Sequence, residues 1–310
     1  MTDDVRMRGF RERATVETAV AAALDRVVPL VAEQVAVTAC VDRVLAGSVV
    51  SEVDVPPFSR ATMDGYVVRS SDTFGASTYN PLLLDVIGTS MPGAGFAGEV
   101  IAGTACRIMS GAPIARGGDA VLRAEDTVDR DSRVEVRAAV ATGRNVGRVG
   151  EDIEAGTEVL GRGRRLLPQD VGLLASIGHD PVGVHRRPEV RIVVSGDELL
   201  APGSKPHGTS IVDSNSPMLA ALVTRDGGVP RVIRVPDDRD AMYEALAAPG
   251  ADVIVTSGAA SVGTEDRVPL LVAELGSLSI HGVSMRPSSP SGVGRIGGAP
   301  VLLLPGNPVS

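Results

Sequence analysis

Apolar and polar positions alternate with three different rhythms along the chain. Thr15 to Val28 is rich in Ala and Val at helical spacing, with Glu17 in the first turn and Pro29 as a stop, which predicts an amphipathic helix. A second short helical patch around Ala39 to Leu45 leads into the strand-like Val49 to Val53. Two prolines in Val55-Pro56-Pro57-Phe58 force extended backbone and mark a boundary. From about residue 60 to 147 the apolar runs become short: Val67 to Arg69, Leu82 to Ile87, Cys106 to Met109, Ala120 to Arg123 and Arg133 to Ala138. Gly, Pro, Asp or Ser separates them, as in a small β-domain. Residues 148–188 carry a helix with Pro168 in its first turn, Val171 to Ile177 as its body and Gly178 just past its end.

From Val190 the rhythm is strand, turn, helix. Strand Val190 to Val194 is followed by Ser195-Gly196-Asp197-Glu198, and Ser216-Pro217 opens a helix ending at Gly227-Gly228. Arg231 to Val235 is the next strand, and Asp237 or Asp238 starts the next helix. Val253 to Thr256 is a buried strand; the small-residue loop Ser257 to Gly263 follows, with Glu265 and Asp266 ahead of a helix reaching Gly276. Strands near Ser279 to Met285 and at Val301 to Leu304 close the chain. This alternation predicts a parallel, doubly wound sheet, so the fold class is multidomain α/β plus β.

Composition narrows the function classes. The 310 residues are 44% hydrophobic, with 2% aromatics and no Trp, so Val, Leu, Ile and Ala must build the cores. Lys and Arg number 30 against 38 Asp and Glu, a net charge of −8 that argues against a nucleic-acid partner. Cys40 and Cys106 stand far apart without metal-ligand spacing and read as buried reduced thiols; His179, His185, His207 and His281 are equally scattered. With no membrane-length apolar run and no signal-peptide core, a soluble cytoplasmic protein is expected.

Three distinctive turns end strands of the α/β part: Ser195 to Glu198, Ser257 to Gly263, and Pro305-Gly306-Asn307-Pro308. Ligands of open parallel sheets bind beyond the carboxyl ends of strands, and backbone N–H groups at a helix start favour anions. Asp197, Glu198, Glu265 and Asp266 would gather there, which is costly unless a cation or proton intervenes. Carboxylates beside a phosphate loop suggest Mg²⁺ bridging a phosphate, although such turns can also merely connect elements. In the β-part, the string from Pro56 to Tyr66 (with Asp64-Gly65), the string Arg107 to Pro113 with Gly117 to Val121, and Gly150-Glu151-Asp152-Ile153 all read by default as strands and turns.

Taken in order, V-P-P-F…M-D-G-Y, R-I-M-S-G-A-P…G-G-D-A-V, G-E-D-I, S-G-D-E-L, D-S-N-S, T-S-G-A-A-S-V-G and L-P-G-N-P-V-S resemble the molybdopterin molybdenumtransferase family, whose eukaryotic counterpart is the E domain of gephyrin. The resemblance runs from about Thr15 to Ser310. It implies molybdenum cofactor biosynthesis: Mg²⁺-dependent insertion of molybdate into adenylylated molybdopterin, with release of AMP. It implies a segmented linker and dimerisation domain (1–55 and 148–188), an inserted β-domain (56–147) and a molybdopterin-binding α/β domain (189–310), without the family's C-terminal β-barrel. A homodimer is implied, with the site between the α/β domain of one chain and the β-part of the other. Further expected partners are a molybdopterin adenylyltransferase and molybdoenzymes.

By motif matching, Asp64, Asp152, Glu198 and Asp266 are the candidate catalytic carboxylates, and Glu198, Asp266 and Asp237 the candidate metal ligands. Ser110, Ser257, Gly258, Ser261, Gly263, Arg286, Pro305, Gly306 and Asn307 are the candidate pterin-binding set. Four departures from the family pattern bear on activity. Ala259 and Ala260 replace Gly and Val of the loop, and a Cβ at a position needing positive φ costs about 1 kcal/mol or more. The family's K-P-G-K-P is Arg286-Pro287-Ser288-Ser289-Pro290, which loses one charge; a hydrogen bond to a charged group contributes roughly 1.5–3 kcal/mol. Gly147 stands where the family often has Arg, and the sequence stops at Ser310. The alternatives are a non-catalytic or weakened paralogue acting as a pterin-binding or scaffold protein, or a fragment of a longer enzyme.

Overall fold

The computed structural model describes residues 13–258 and 267–307. The chain forms two compact units, one comprising the chain up to Gln34, Asp42–Val44 and everything from Gly183, the other Val35–Val41 and Leu45–Val182. The linker segments expected at 1–55 and 148–188 are each divided between the two units, while the expected β-domain 56–147 lies wholly in the second and the expected α/β domain 189–310 wholly in the first.

Helix α1 (Val16–Leu24) is capped by Thr15, whose hydroxyl oxygen accepts from the Thr18 amide at 3.2 Å. It ends four residues before the expected Val28, and Arg26 takes a φ of 54° that no α-helix accommodates. The helix expected at Ala39 to Leu45 does not form. Val37–Ala39 makes a single 3₁₀ turn, and Asp42 with φ 62° breaks the following backbone.

The β-rich unit is organised around a six-stranded sheet of β1 (Gly65–Val68), β2 (Leu82–Ser90), β3 (Thr104–Ile108), β4 (Ala120–Arg123), β5 (Thr127–Arg130) and β6 (Arg133–Val136). Their spatial order is β4-β1-β3-β2-β6-β5, and only β2 and β3 run parallel. Tyr66 and Val68 pack into one apolar cluster and Val67 into another, so the sheet is covered on both faces. Strand β5 was not anticipated, because Thr-Val-Asp-Arg is largely polar. It forms as the partner of β6 across a tight turn in which Asp131 has φ 61°. Helix α2 (Pro168–Ser176) matches its sequence markers, with Gly178 at φ 70° beyond its end. Asp170 accepts from the Leu167 amide and pairs with both Nε and Nη2 of Arg164 at 2.9 Å.

The α/β unit contains β7 (Glu189–Ser195), α3 (Asn215–Arg225), β8 (Val229–Val235), α4 (Arg239–Ala247), β9 (Val253–Ser257), α5 (Val268–Leu275), β10 (Gly276–His281), β11 (Gly292–Ile296) and β12 (Ala299–Leu304). Strand order is β8-β7-β9-β12-β11-β10; the first four are parallel, and β11 and β10 complete an antiparallel edge. Side chains alternate across the sheet. Val193, Ile254, Val301 and Leu303 face α4 and α5, whereas Ile192, Val194 and Val255 face α3. Ala19, Ala22 and Ala23 of α1 pack on Ile280, Val283 and Val293, so helices cover both faces. Strand β11 was unforeseen from its glycine-rich sequence, but a Gly297-Gly298 turn folds it onto β12.

Candidate functional site

Because β7, β9 and β12 are parallel, the turns that leave them emerge at one edge of the sheet. The chain goes from β7 by α3 to β8 on one side, then by α4 to β9 on the other side. The crevice between β7 and β9 is therefore the topological switch point, where open α/β sheets take their ligands. Backbone meets backbone here. Gly258 has φ 93°, and a Cβ on it would lie 2.8 Å from the Ser195 carbonyl oxygen. A Cβ on Gly306 would touch the Gly258 Cα at 3.5 Å. Three turns distant in sequence thus lie close together, with room for little more than a methyl group between them.

A side chain ties two of them together. Nδ2 of Asn215, the first residue of α3, donates to Ser257 Oγ at 2.7 Å and to the Gly306 carbonyl at 2.8 Å. The next residue, Ser216, is held by Asp213, which is 2% exposed and accepts from both its amide and its hydroxyl. Arg234 of β8 donates to the same carboxylate at 2.8 Å. Burial pushes the Asp213 pKa up, but the two Ser216 hydrogen bonds and the Arg234 guanidinium outweigh it and hold the carboxyl below the usual range. Buried oxygens without a hydrogen-bond partner among the described residues include Ser195 Oγ, Asn215 Oδ1 and Thr256 Oγ1.

The carboxylates at this edge pair with backbone. The Asp197 amide donates to Asp237 at 3.3 Å, and the Asp237 amide donates to Asp197 at 3.2 Å. Asp238 is the N-cap of α4, accepting from the Asp240 and Ala241 amides, so it serves the helix. Glu198 is exposed and folds over Gly196, with Oε2 2.7 Å from where a Cβ there would stand. Ser195, Asp237, Asp238, Arg239, Met242, Arg267 and Val268 line a shallow pocket at this edge. Among the described residues, no three His, Cys, Asp or Glu side chains form a group that could hold a metal ion. Glu198 and Asp237 alone do not make an Mg²⁺ site. Ser261, Gly263 and Asp266, with Ala259, Ala260, Glu265 and Pro308, lie outside the described residues. Arg286 is exposed beyond β10, and Ser288 two residues later is buried with φ 84°.

The β-rich unit gathers its own strings. Val55-Pro56 pairs with Gly150 to Ile153 through backbone bonds from Gly150 to Pro56 and from Asp152 and Ile153 to Val55. The Arg60–Ala61 segment pairs with Val146–Gly147 on one side and is bonded to Gly111 and Ala112 on the other. Asp64 Oδ1 accepts from the Ser110 amide at 2.7 Å, joining two strings read separately in the sequence. Arg60 donates to Glu151 at 3.0 Å and to Asp152 at 3.4 Å. Its guanidinium, aided by the Arg148 amide, holds the Glu151 carboxyl below the usual range. Gly65 sits where only a hydrogen fits, because a Cβ would stand 1.9 Å from the Leu122 carbonyl oxygen. Burial pushes the Cys106 thiol up to about 11, which makes it inert.

The residues that sequence reading left without a role are Asp213, Asn215, Ser216 and Arg234. The D-S-N-S string announced the first three, since an Asx two residues before a helix is a capping signal. Nothing local pointed to Arg234, because its partner lies 21 residues away.

Residues 14–178 match the family described as MoeA N-terminal region (domain I and II), and residues 191–310 match the probable molybdopterin binding domain. Molybdopterin molybdenumtransferase 2 of Mycobacterium tuberculosis is 37% identical over 279 residues, covering 86% of this chain and 68% of that relative. Molybdopterin molybdenumtransferase of Synechococcus elongatus is 34% identical over 294 residues, covering 91% and 72%. The crystal structure of a molybdopterin biosynthesis moeA protein from Pyrococcus horikoshii OT3 superposes with a TM-score of 0.83 at 33% identity, covering 96% of this chain and 75% of that one. Two family regions in series and identity sustained along most of the length lead to one conclusion: the chain belongs to the molybdopterin molybdenumtransferase family.

Proposed function

We propose that the chain is a molybdopterin molybdenumtransferase of molybdenum cofactor biosynthesis, transferring molybdenum from molybdate to adenylylated molybdopterin and releasing AMP with a requirement for Mg²⁺. The observation that carries this reading is the convergence of the Ser195, Ser257-Gly258 and Pro305 to Asn307 turns at the switch point, tied by Asn215. Closely apposed turns at strand ends present backbone N–H groups to an anion, which suits a pterin phosphate. In this reading Ser257, Gly258, Pro305, Gly306 and Asn307, with Ser261 and Gly263, cradle the pterin phosphate, and Arg286 supplies positive charge. Glu198, Asp237 and Asp266 are the carboxylates that would hold the metal and molybdate. Asp64, Ser110 and Asp152 complete the site from the β-part of a second chain.

The homodimer and a cytoplasmic location belong to the same reading. Val16, Val20 and Leu24 form an exposed apolar stripe at helical spacing on α1, which suits contact between chains. The test is AMP release from adenylylated molybdopterin with molybdate, with and without Mg²⁺. Metal-dependent release, abolished by Glu198→Gln without a shift in melting temperature, is expected. No release and no pterin binding would sink the reading.

One observation favours a second reading. Ser288 occupies a left-handed conformation where the family pattern has Gly, which stores strain beside Arg286. A weakened or non-catalytic paralogue that binds pterin or serves as a scaffold would bind molybdopterin but release no AMP.

A further inference from the structure

We infer that Asn215 is the positioning residue that holds the Ser257-Gly258 turn and the Gly306 turn at their working separation, so that its amide sets the shape of the ligand crevice. The inference deepens the reading proposed above and rests on it for the ligand.

Three observations point the same way. Asn215 is 8% exposed, and its Nδ2 spends both hydrogens on two different strand ends, Ser257 Oγ and the Gly306 carbonyl. The Gly306 carbonyl accepts but cannot donate, which fixes the amide with nitrogen towards it. Oδ1 is then left buried without a partner among the described residues, a state that packing alone gives no reason to keep. A Leu or Met of similar volume would fill the place without that orphan oxygen. The backbone of Asn215 is itself secured, since Asp213 receives Ser216 from α3 and Arg234 from β8. A polar chain therefore runs from β8 through the start of α3 to the ends of β9 and β12. The two turns it reaches lie about a methyl group apart, since a Cβ added to Gly306 would make ordinary van der Waals contact with the Gly258 Cα at 3.5 Å. Loss of either donor hydrogen therefore lets one turn move relative to the other.

Two substitutions separate this role from general stability. Asn215→Ala removes both bonds. Asn215→Asp keeps the shape and can still accept from the Ser257 hydroxyl, but it turns a carboxylate oxygen towards the Gly306 carbonyl. Hydrogen exchange read by mass spectrometry on the full chain should show at least about tenfold faster exchange in 254–258 and 302–307 for Asn215→Ala. Exchange in α4 and in β1 to β6 should not change. For Asn215→Asp the acceleration should be confined to 302–307. Molybdopterin binding should weaken about tenfold with either variant, with melting of the β-rich unit unchanged. Unaltered exchange in both segments, or loosening spread evenly over the α/β unit in both variants, would overturn the inference. Failure of the parent chain to bind molybdopterin would count against the proposed function alone, because the exchange pattern reads the positioning role without ligand.

Discussion

The two units bring candidate groups together by different physical means. In the α/β unit, turns from three parallel strands approach closely at one edge, and a polar chain of buried Asp213, Ser216 and Asn215, joined by exposed Arg234, holds them. In the β-rich unit, neighbouring strings are laced by ordinary antiparallel bonds, and the candidate carboxylates Asp64 and Asp152 sit at the surface with an amide and an arginine for company. Burial makes the difference matter. Interactions inside the first arrangement are strong and unforgiving, whereas exposed ion pairs like Arg60 with Asp152 are screened by water and contribute little. The α/β edge is thus the more preorganised of the two, and the β-rich strings carry accessible charge.

The largest effects should come from the close backbone approaches, one in each unit. Gly65→Ala would drive a Cβ to 1.9 Å from Leu122 O, where only backbone can give way, and should cost more than about 4 kcal/mol. Gly258→Ala meets Ser195 O at 2.8 Å at φ 93° and should cost about 2–3 kcal/mol. Urea unfolding of both variants measures this; a cost below about 1 kcal/mol for Gly65→Ala would break the account of the β-rich unit.

Next come the buried acids. Asp213 in one unit and Asp170 in the other both have folded pKa values lowered from 3.8. For Asp170 the Arg164 hydrogen bond is the main cause. The unfolded state binds the proton more readily, so each acid's stabilisation is full above the unfolded value and is lost as pH falls through the folded one. Asp213→Asn should cost about 2 kcal/mol at neutral pH and flatten the acid limb of the α/β unit only. Asp170→Asn should flatten that of the β-rich unit. Unfolding followed from pH 7 down to about 2.5 checks both, and an acid limb in the α/β unit that Asp213→Asn leaves untouched would refute the first.

A smaller gain is expected from Ser288→Gly, which relieves a left-handed φ of 84° and should stabilise by about 1 kcal/mol. A shift of melting temperature downward would contradict the strain assigned there. Smallest of all, Arg60→Ala should change stability by less than about 1 kcal/mol, because both it and Glu151 are about one third exposed. A larger loss would mean the β-rich site is as preorganised as the α/β edge.

Much of this was legible before any coordinates. The shift from short punctuated strands to strand–helix alternation near Val190 separated the β-part from the doubly wound sheet, because periodicities of 2 and 3.6 cannot be mistaken for one another over long runs. Ends marked by Pro168 and Gly178 fell where expected, since both residues act on their own backbone dihedrals. The misses are of a different kind. Polar β5 and glycine-rich β11 exist because a neighbouring strand offers hydrogen bonds, and no local propensity reports that. The unformed helix at Ala39 to Leu45 yielded to Asp42 at positive φ, a conformation that surrounding contacts impose.

The same division holds for the candidate site. Sequence alone determined that carboxylates and small-residue turns would follow parallel strands, because residue type and strand order are local or topological facts. Which groups meet was decided only in three dimensions. Asp64 reaches the Ser110 amide across 46 residues, and Asn215 reaches Ser257 across 42 and Gly306 across 91. Hydrogen bonds of that span depend on strand register and on the spacing between turns, and only the packed sheet sets those distances.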